Sequence, residues 1–196
     1  MQTWLGLENW MWIAIEVAVV AVILLMIVSA KVRANSREHR TGRLNDAFGP
    51  EYARTVDEKG RTQAENDLDL RTKNATSIEL HQLSAIEGKH YLAEWTATQA
   101  HFVDNPGEAV NHADRLVTEV LQARGYPAGD FEARANAVSV DHPKVVVEYR
   151  AAHDAAERNQ RGDASTDDLR SAMTQYRAIF TELIDVRNLR EPVAAP

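Results

Sequence analysis

The sequence predicts an all-α protein with an N-terminal single transmembrane helix, an exposed charged helix or stalk, and then a compact bundle of about four helices. Three observations predict it. Residues 17–30 carry no charge and are followed at once by a burst of bases. Four later segments repeat apolar residues at three-and-four spacing, each punctuated by helix-capping chemistry. No stretch alternates convincingly with period two, as half-buried strands do.

The membrane span comes first. Val17 to Ala30 is fourteen residues, roughly 21 Å of helix, short of a hydrocarbon core of about 30 Å. The span therefore has to run through Glu16, and a start at Trp10 gives residues 10–30, about 31 Å, leaving 1–9 as a short external terminus. Trp4, Trp10 and Trp12 then sit where interfacial aromatics gather. A carboxylate at the bilayer centre costs about 2.5–3.5 kcal/mol and less near the interface, while each Ile, Val or Leu contributes roughly −0.3 to −0.6, so insertion survives Glu16. Three roles are open to Glu16: an acid snorkelling to the interface, a contact with a partner helix, or ion handling. The first is preferred. Ala14, Ala18 and Ala21 form a small-residue seam on the opposite side, suited to helix packing.

Orientation follows from the bases. Lys31, Arg33, Arg37, Arg40 and Arg43 all follow the span and no Lys or Arg precedes it. Bases are retained on the cytoplasmic side, so the amino terminus is expected outside and the C-terminal domain in the cytoplasm. A cleaved leader is the rival reading, because VSA before Lys31 resembles a cleavage site; the absence of a basic n-region and the length of the apolar run oppose it. The basic juxtamembrane segment, 31–50, can rest on anionic headgroups and ends in Phe48, Gly49 and Pro50, a helix stop.

Residues 51–82 are expected as a charged helix and linker, since 51–75 favour helix but are poor in apolar side chains, with Gly60 as a bend. The bundle occupies 83–190. Its first helix opens at the capping box Ser84–Glu87, carries Tyr91, Trp95 and Phe102 on one face, and runs to about Val103. The second opens with Asn105 as cap, Pro106 at its first position and Glu108 reaching back. It buries Val110, Ala113, Val117, Val120 and Leu121 and ends at Arg124 and Gly125. A brief helical piece near 131–138 precedes a third long helix, starting at Asp141–Pro143 with Asp141 or His142 as cap. Val145, Tyr149, Ala152 and Ala156 face inward there, and Gly162 stops it. The last opens with Ser165 as cap and Asp168 behind it, followed by Leu169, Met173, Tyr176, Phe180 and Leu183. Residues 191–196 are expected to be a loose tail.

Composition removes several chemistries. With no cysteine, there is no disulfide, thiolate metal site or cysteine nucleophile. The nine glycines form neither a GxG nor a GxxxxGK pattern, which removes the usual phosphate loops. The net charge is −7. Subtracting the five collar bases and the acids Glu8, Glu16 and Glu38 from totals of 22 and 29 leaves 17 bases against 26 acids over 44–196. An acidic domain behind a basic collar argues against nucleic acid as the main ligand.

The best metal candidates are Glu87, His90 and Glu94, within about 60° on one side of the first bundle helix. His101, on the same stripe, lies about 16 Å further along the axis and cannot share their ion. Dimetal bundles use two ExxH motifs and only one occurs here, while Glu87 already has a capping role, so a half-exposed polar face is the preferred reading and no cofactor is expected. The neighbours His112 and Asp114, Asp141 and His142, and His153 and Asp154 point about 100° or more apart on a helix and form no relay. Asp114 borders the apolar stripe, so a structural pair with Arg150 or Arg170 is expected. Tyr126 and Pro127, between Gly125 and Gly129, are expected to cover the core rather than meet a partner.

FGPEYARTV at 48–56, FVDNPGEAVNHADRLVTEVLQARGYP at 102–127, SVDHPKVVVEYRAAH at 139–153 and STDDLRSAMTQYRAIFTEL at 165–183 resemble a family of uncharacterised membrane-tethered helical proteins of high-GC bacteria. The resemblance covers most of the chain after the anchor and implies no catalytic residue, cofactor or substrate. Its members are often labelled secreted; the basic collar opposes that placement. The function expected is a protein-interaction or scaffold module at the cytoplasmic membrane face, with lipid and another protein, or a second copy, as partners. The competing class is a membrane-associated enzyme or sensor whose pocket is lined by some of His90, Glu94, Asp114, Tyr149 and His153.

Overall fold

The computed structural model describes residues 5–184, with side chains from Glu16 onward apart from those of 30 and 32–34. Among these residues the secondary structure is helical throughout, in eight α-helices. The chain divides into one unit ending at Arg43 and a second beginning at Leu44.

The first unit consists of the helix α1, Leu5–Phe48, up to Arg43. The side chains of Val17 to Val28 are large, apolar and 49–69% exposed, except the exposed Ala18 and Ala21 among them. Among the described residues no helix is long and apolar enough to cross a membrane. Of the span expected over 10–30, residues 10–15 and 30 lie outside the described side chains, as do Ala14, Trp10, Trp12 and Arg33. The tail at 191–196 is likewise outside the described residues. Glu16, Lys31, Arg37 and Arg43 are exposed and Arg40 is half-buried.

The second unit takes the last turns of α1 and seven further helices. Gly49, at φ 51°, stops α1, and Pro50 opens α2 (Pro50–Lys59) at a position where its missing N–H costs nothing. Gly60, at φ 75°, divides α2 from α3 (Arg61–Ala75). No stalk forms here: α2 and α3 pack on one another, α3 packs on α6 and α2 touches α7. Leu44, Phe48, Tyr52 and Leu68 are buried together, with Val56 and Val140 against them. A low apolar count suggested exposure, but the segment completes its interior with paired charge instead.

The bundle itself is α4 (Ala85–His101), α5 (Pro106–Ala123), α6 (Phe131–Asp141), α7 (Val146–Arg161) and α8 (Thr166–Ile184). The capping box of α4 is complete, Ser84 Oγ accepting from the Glu87 N–H and Glu87 accepting from the Ser84 N–H. Ser165 and Asp168 form the same reciprocal pair before α8. Asn105 precedes α5 but makes no side-chain cap bond, and Glu108 turns instead to His101. The third long helix starts later than expected: α6 runs through Asp141, His142 ends it, and α7 begins only at Val146. Pro143 thus lies in the turn between two helices, which suits a residue that disfavours helix before itself.

α8 packs on α5 and α7, and α5 also meets α4 and α7. The stripes expected on α5 and α8 are all buried, joined by Leu116 and Ile179. Trp95 of α4 stacks on Phe180 of α8 at 4.7 Å between ring centroids. Each fully buried Leu, Ile, Val or Phe stabilises by about 1.5–3 kcal/mol relative to exposure, so this cluster dominates the energetics. Between α3 and α4, residues 76–84 cross the end of α5, where the His81 N–H donates to the Arg124 carbonyl. Gly125, at φ 96°, lies so close beneath this crossing that a Cβ there would stand 2.3 Å from the Glu79 carbonyl oxygen.

Candidate functional site

Two polar nodes interrupt the apolar interior of the second unit. The first is built on α5, where Asp114 borders Ala113, Val117 and Leu121 and so points toward the neighbouring helices. Its Oδ1 lies 2.9 Å from His153 Nδ1 on α7 and accepts from the Tyr176 hydroxyl on α8 at 2.7 Å. A carboxylate can only accept, which assigns the proton of the first contact to Nδ1. The imidazole lies flat on Phe131 of α6, 3.7 Å between centroids, and Phe131 also meets Tyr149 at 5.0 Å. Tyr149 in turn accepts from Arg134 Nε at 3.3 Å.

The electrostatics follow from these contacts. Burial opposes the charge on Asp114, but hydrogen bonds from His153 and Tyr176 and the charges of His153 and Arg134 outweigh it and hold the carboxyl below its ordinary range. Burial, and then the Asp114 charge, push the Tyr176 phenol upward, so it remains a donor. His153 Nε2 faces the exposed Glu157 carboxylate at 3.7 Å. The Asp114 carboxylate thus orients the imidazole and ties α5, α7 and α8 together.

The partner of Asp114 is therefore a histidine, not the expected Arg150 or Arg170. Arg150 is drawn to both carboxylate oxygens of Glu132 at 2.8 Å and to Asn136, and Arg170 to Asp167 on the surface. The correct partner had a signal in the sequence: His153 stands one turn beyond Tyr149 and beside Ala152, at the edge of an apolar stripe like Asp114 itself.

The second node is Glu51, fully buried in the first turn of α2. Arg54 grips it with two bonds, 2.8 and 2.7 Å, Arg71 of α3 donates at 2.8 Å, and Arg150 of α7 approaches to 3.3 Å. Arg71 also binds Asp67 through two nitrogens, and Arg54 pairs with Glu58. Burial again opposes the Glu51 charge, and the Arg54 bonds, the Arg150 charge and the Arg71 bond hold its pKa below the ordinary value. Nothing in its spacing marks Glu51 as interior, because Arg54 three residues on reads as an ordinary surface pair and the other two partners lie 20 and 99 positions away.

The remaining candidates separate. His90 and Glu94 pair with each other at 3.4 Å on the exposed side of α4, and Glu87 is held by its capping bonds. Among the described residues no three His, Asp or Glu side chains converge as a metal site. Of the pocket set, His153 and Tyr149 meet the Phe131 ring, Asp114 joins them through His153, and the α4 pair His90 and Glu94 bond to each other. His112 meets Thr98, Asp141 accepts from Tyr126, and Asp154 meets Arg158, so sequence neighbours do not pair. Tyr126 is buried in the main core. No known family, curated protein or solved structure matches the chain.

Proposed function

We propose that the chain is a single-pass membrane-anchored protein whose helical bundle serves as an interaction or scaffold module at the cytoplasmic membrane face. The observation that carries the reading is the exposed apolar surface of Val17–Val28, continuous round the helix. A helix apolar on every side belongs in a protein core or in lipid, and these side chains have no core around them. Extension to residues 10–30 supplies about 31 Å, enough to cross a bilayer. The collar Lys31, Arg33, Arg37, Arg40 and Arg43 supports a cytoplasmic bundle, with anionic headgroups beside it. Ala14, Ala18 and Ala21 supply a seam for a neighbouring helix, and Glu16 offers a polar contact on the opposite side.

The interaction role draws on the site chemistry. Both polar nodes direct their charge to partners within the same chain, as structural pairs do, and the acidic bundle does not suit nucleic acid. The test has two arms. Cell fractions washed with alkaline carbonate should retain the full chain in the membrane, and a cytoplasm-active reporter at the carboxyl end should signal; release by carbonate, or a periplasm-only signal, overturns the anchor or its orientation. A quantitative pull-down of the full chain against an anchor-only piece, 1–50, should then yield a stoichiometric partner, and a monomer that captures nothing overturns the scaffold role.

A further inference from the structure

The outward side of α4 joins an apolar surface to charges that match it to itself. Its inward side is engaged, Trp95 stacking on Phe180 of α8 and Thr98 meeting His112 of α5. At about 100° per residue, Ile86, Lys89, Ala93, Ala97 and Ala100 fall on the opposite side, and all five are exposed. Ile86 at 82% and Val103, just past the helix, at 83% are the most exposed large apolar side chains among the described residues. The two histidines toward this side are already held, His90 by Glu94 at 3.4 Å and His101 by Glu108 at 3.2 Å. Lys89 and Asp104, one near each end, are exposed and have no ion pair among the described residues.

Such a face complements a second copy of itself. A two-fold axis across α4 between Glu94 and Trp95 sets Ile86 opposite the partner's Val103, Ala93 opposite the partner's Thr96, and Lys89 within one turn of the partner's Asp104. A parallel pairing would set each of these charges beside its own counterpart, so repulsion selects the antiparallel one. The alanines let the two helix axes approach closely. A pair of helices matched over about 26 Å covers less than the roughly 800 Å² per partner of a stable dimer, so the contact is weak in dilute solution. Tethering both copies to one bilayer raises the effective concentration that such a contact needs.

We propose that α4 pairs antiparallel with the α4 of a second copy of this chain, Lys89 meeting the partner's Asp104 on both sides of the axis and Ile86 packing on the partner's Val103. The pairing rests on the reading of the bundle as a membrane-anchored interaction module, and names the partner and the face.

The chain has no cysteine, so an introduced thiol is the only one to react. Full-length Ile86→Cys and Val103→Cys, reconstituted together in lipid vesicles, should be joined by a short bismaleimide into a dimer of one copy of each, while either variant alone stays uncrosslinked. Adding Lys89→Asp to both should lower the yield by about five- to tenfold, and adding Asp104→Lys as well should restore it. All four positions are exposed, so the variants spare the interior. No crosslink, a crosslink of either variant with itself in place of the mixed dimer, or a loss that Asp104→Lys does not reverse overturns the proposal. A different protein captured by the full chain, with no crosslink, removes this pairing and leaves the interaction reading standing; neither a captured protein nor a crosslink removes both.

Discussion

The interior around Leu116, Val117, Val120 and Ile179 and the interior around Glu51 belong to one compact unit, yet they are held by different physics. The first gains from removing apolar surface from water, which is non-directional and adds up over many side chains. The second encloses a carboxylate with guanidinium groups, where geometry matters more than area. Buried ion pairs of this kind contribute little net stability but penalise the loss of one member severely. The first interior is thus expected to set the stability of the unit, and the second to set how segment 44–75 is arranged.

Substitutions should separate the two. Phe180→Ala, which removes the ring stacked on Trp95, is expected to cost about 3–5 kcal/mol and to lower the urea midpoint of the whole unit. Leu68→Ala removes an equally buried side chain, and such changes cost about 2–5 kcal/mol in an ordinary core. Its effect on global unfolding should be smaller than that, with the remainder seen as faster exchange of α2 and α3; an undiminished global loss would merge the two interiors into one. Asp114→Asn keeps the shape but weakens charge-assisted bonds to His153 and Tyr176, and a loss of about 1.5–3 kcal/mol is expected by equilibrium unfolding at neutral pH. Ser84→Ala should cost about 1 kcal/mol, localised at the start of α4.

Acid should touch both regions in the same direction. Asp114 and Glu51 have folded pKa values below their ordinary ones, so each contributes stability that is present above the unfolded pKa. That contribution is lost as pH falls through the folded value, below the usual carboxylate range. A urea midpoint that holds at neutral pH and drops below about pH 4 is expected, with the drop reduced in Asp114→Asn.

The same contrast explains what could be read from the sequence. The apolar periods of α5 and α8 reveal their buried faces directly, because a helix set against a hydrophobic core must repeat every three or four residues. Caps at Ser84 and Ser165, and stops at Gly49, Gly125 and Gly162, are legible for the same reason: they act within a few residues. Residues 51–75 read as a stalk because their interior is charged, and a buried charge resembles an exposed one until its partner is known. The Asp114 site was half legible. Its burial showed in the stripe, but its partner, 39 residues away, depended on how α5 and α7 align.

The crossing above Gly125 carries a consequence for how this sequence can vary over evolutionary time. With the Glu79 carbonyl oxygen 2.3 Å from where a methyl would stand, and a positive φ besides, even alanine would force the crossing chain away from the end of α5. Nothing lies within 4 Å of the corresponding position at Gly42, so that codon is free of such steric selection. Mutational drift should therefore spare position 125 while erasing the glycine at 42, and two residues of one type, identical to a substitution matrix, should leave opposite traces in descendant genes.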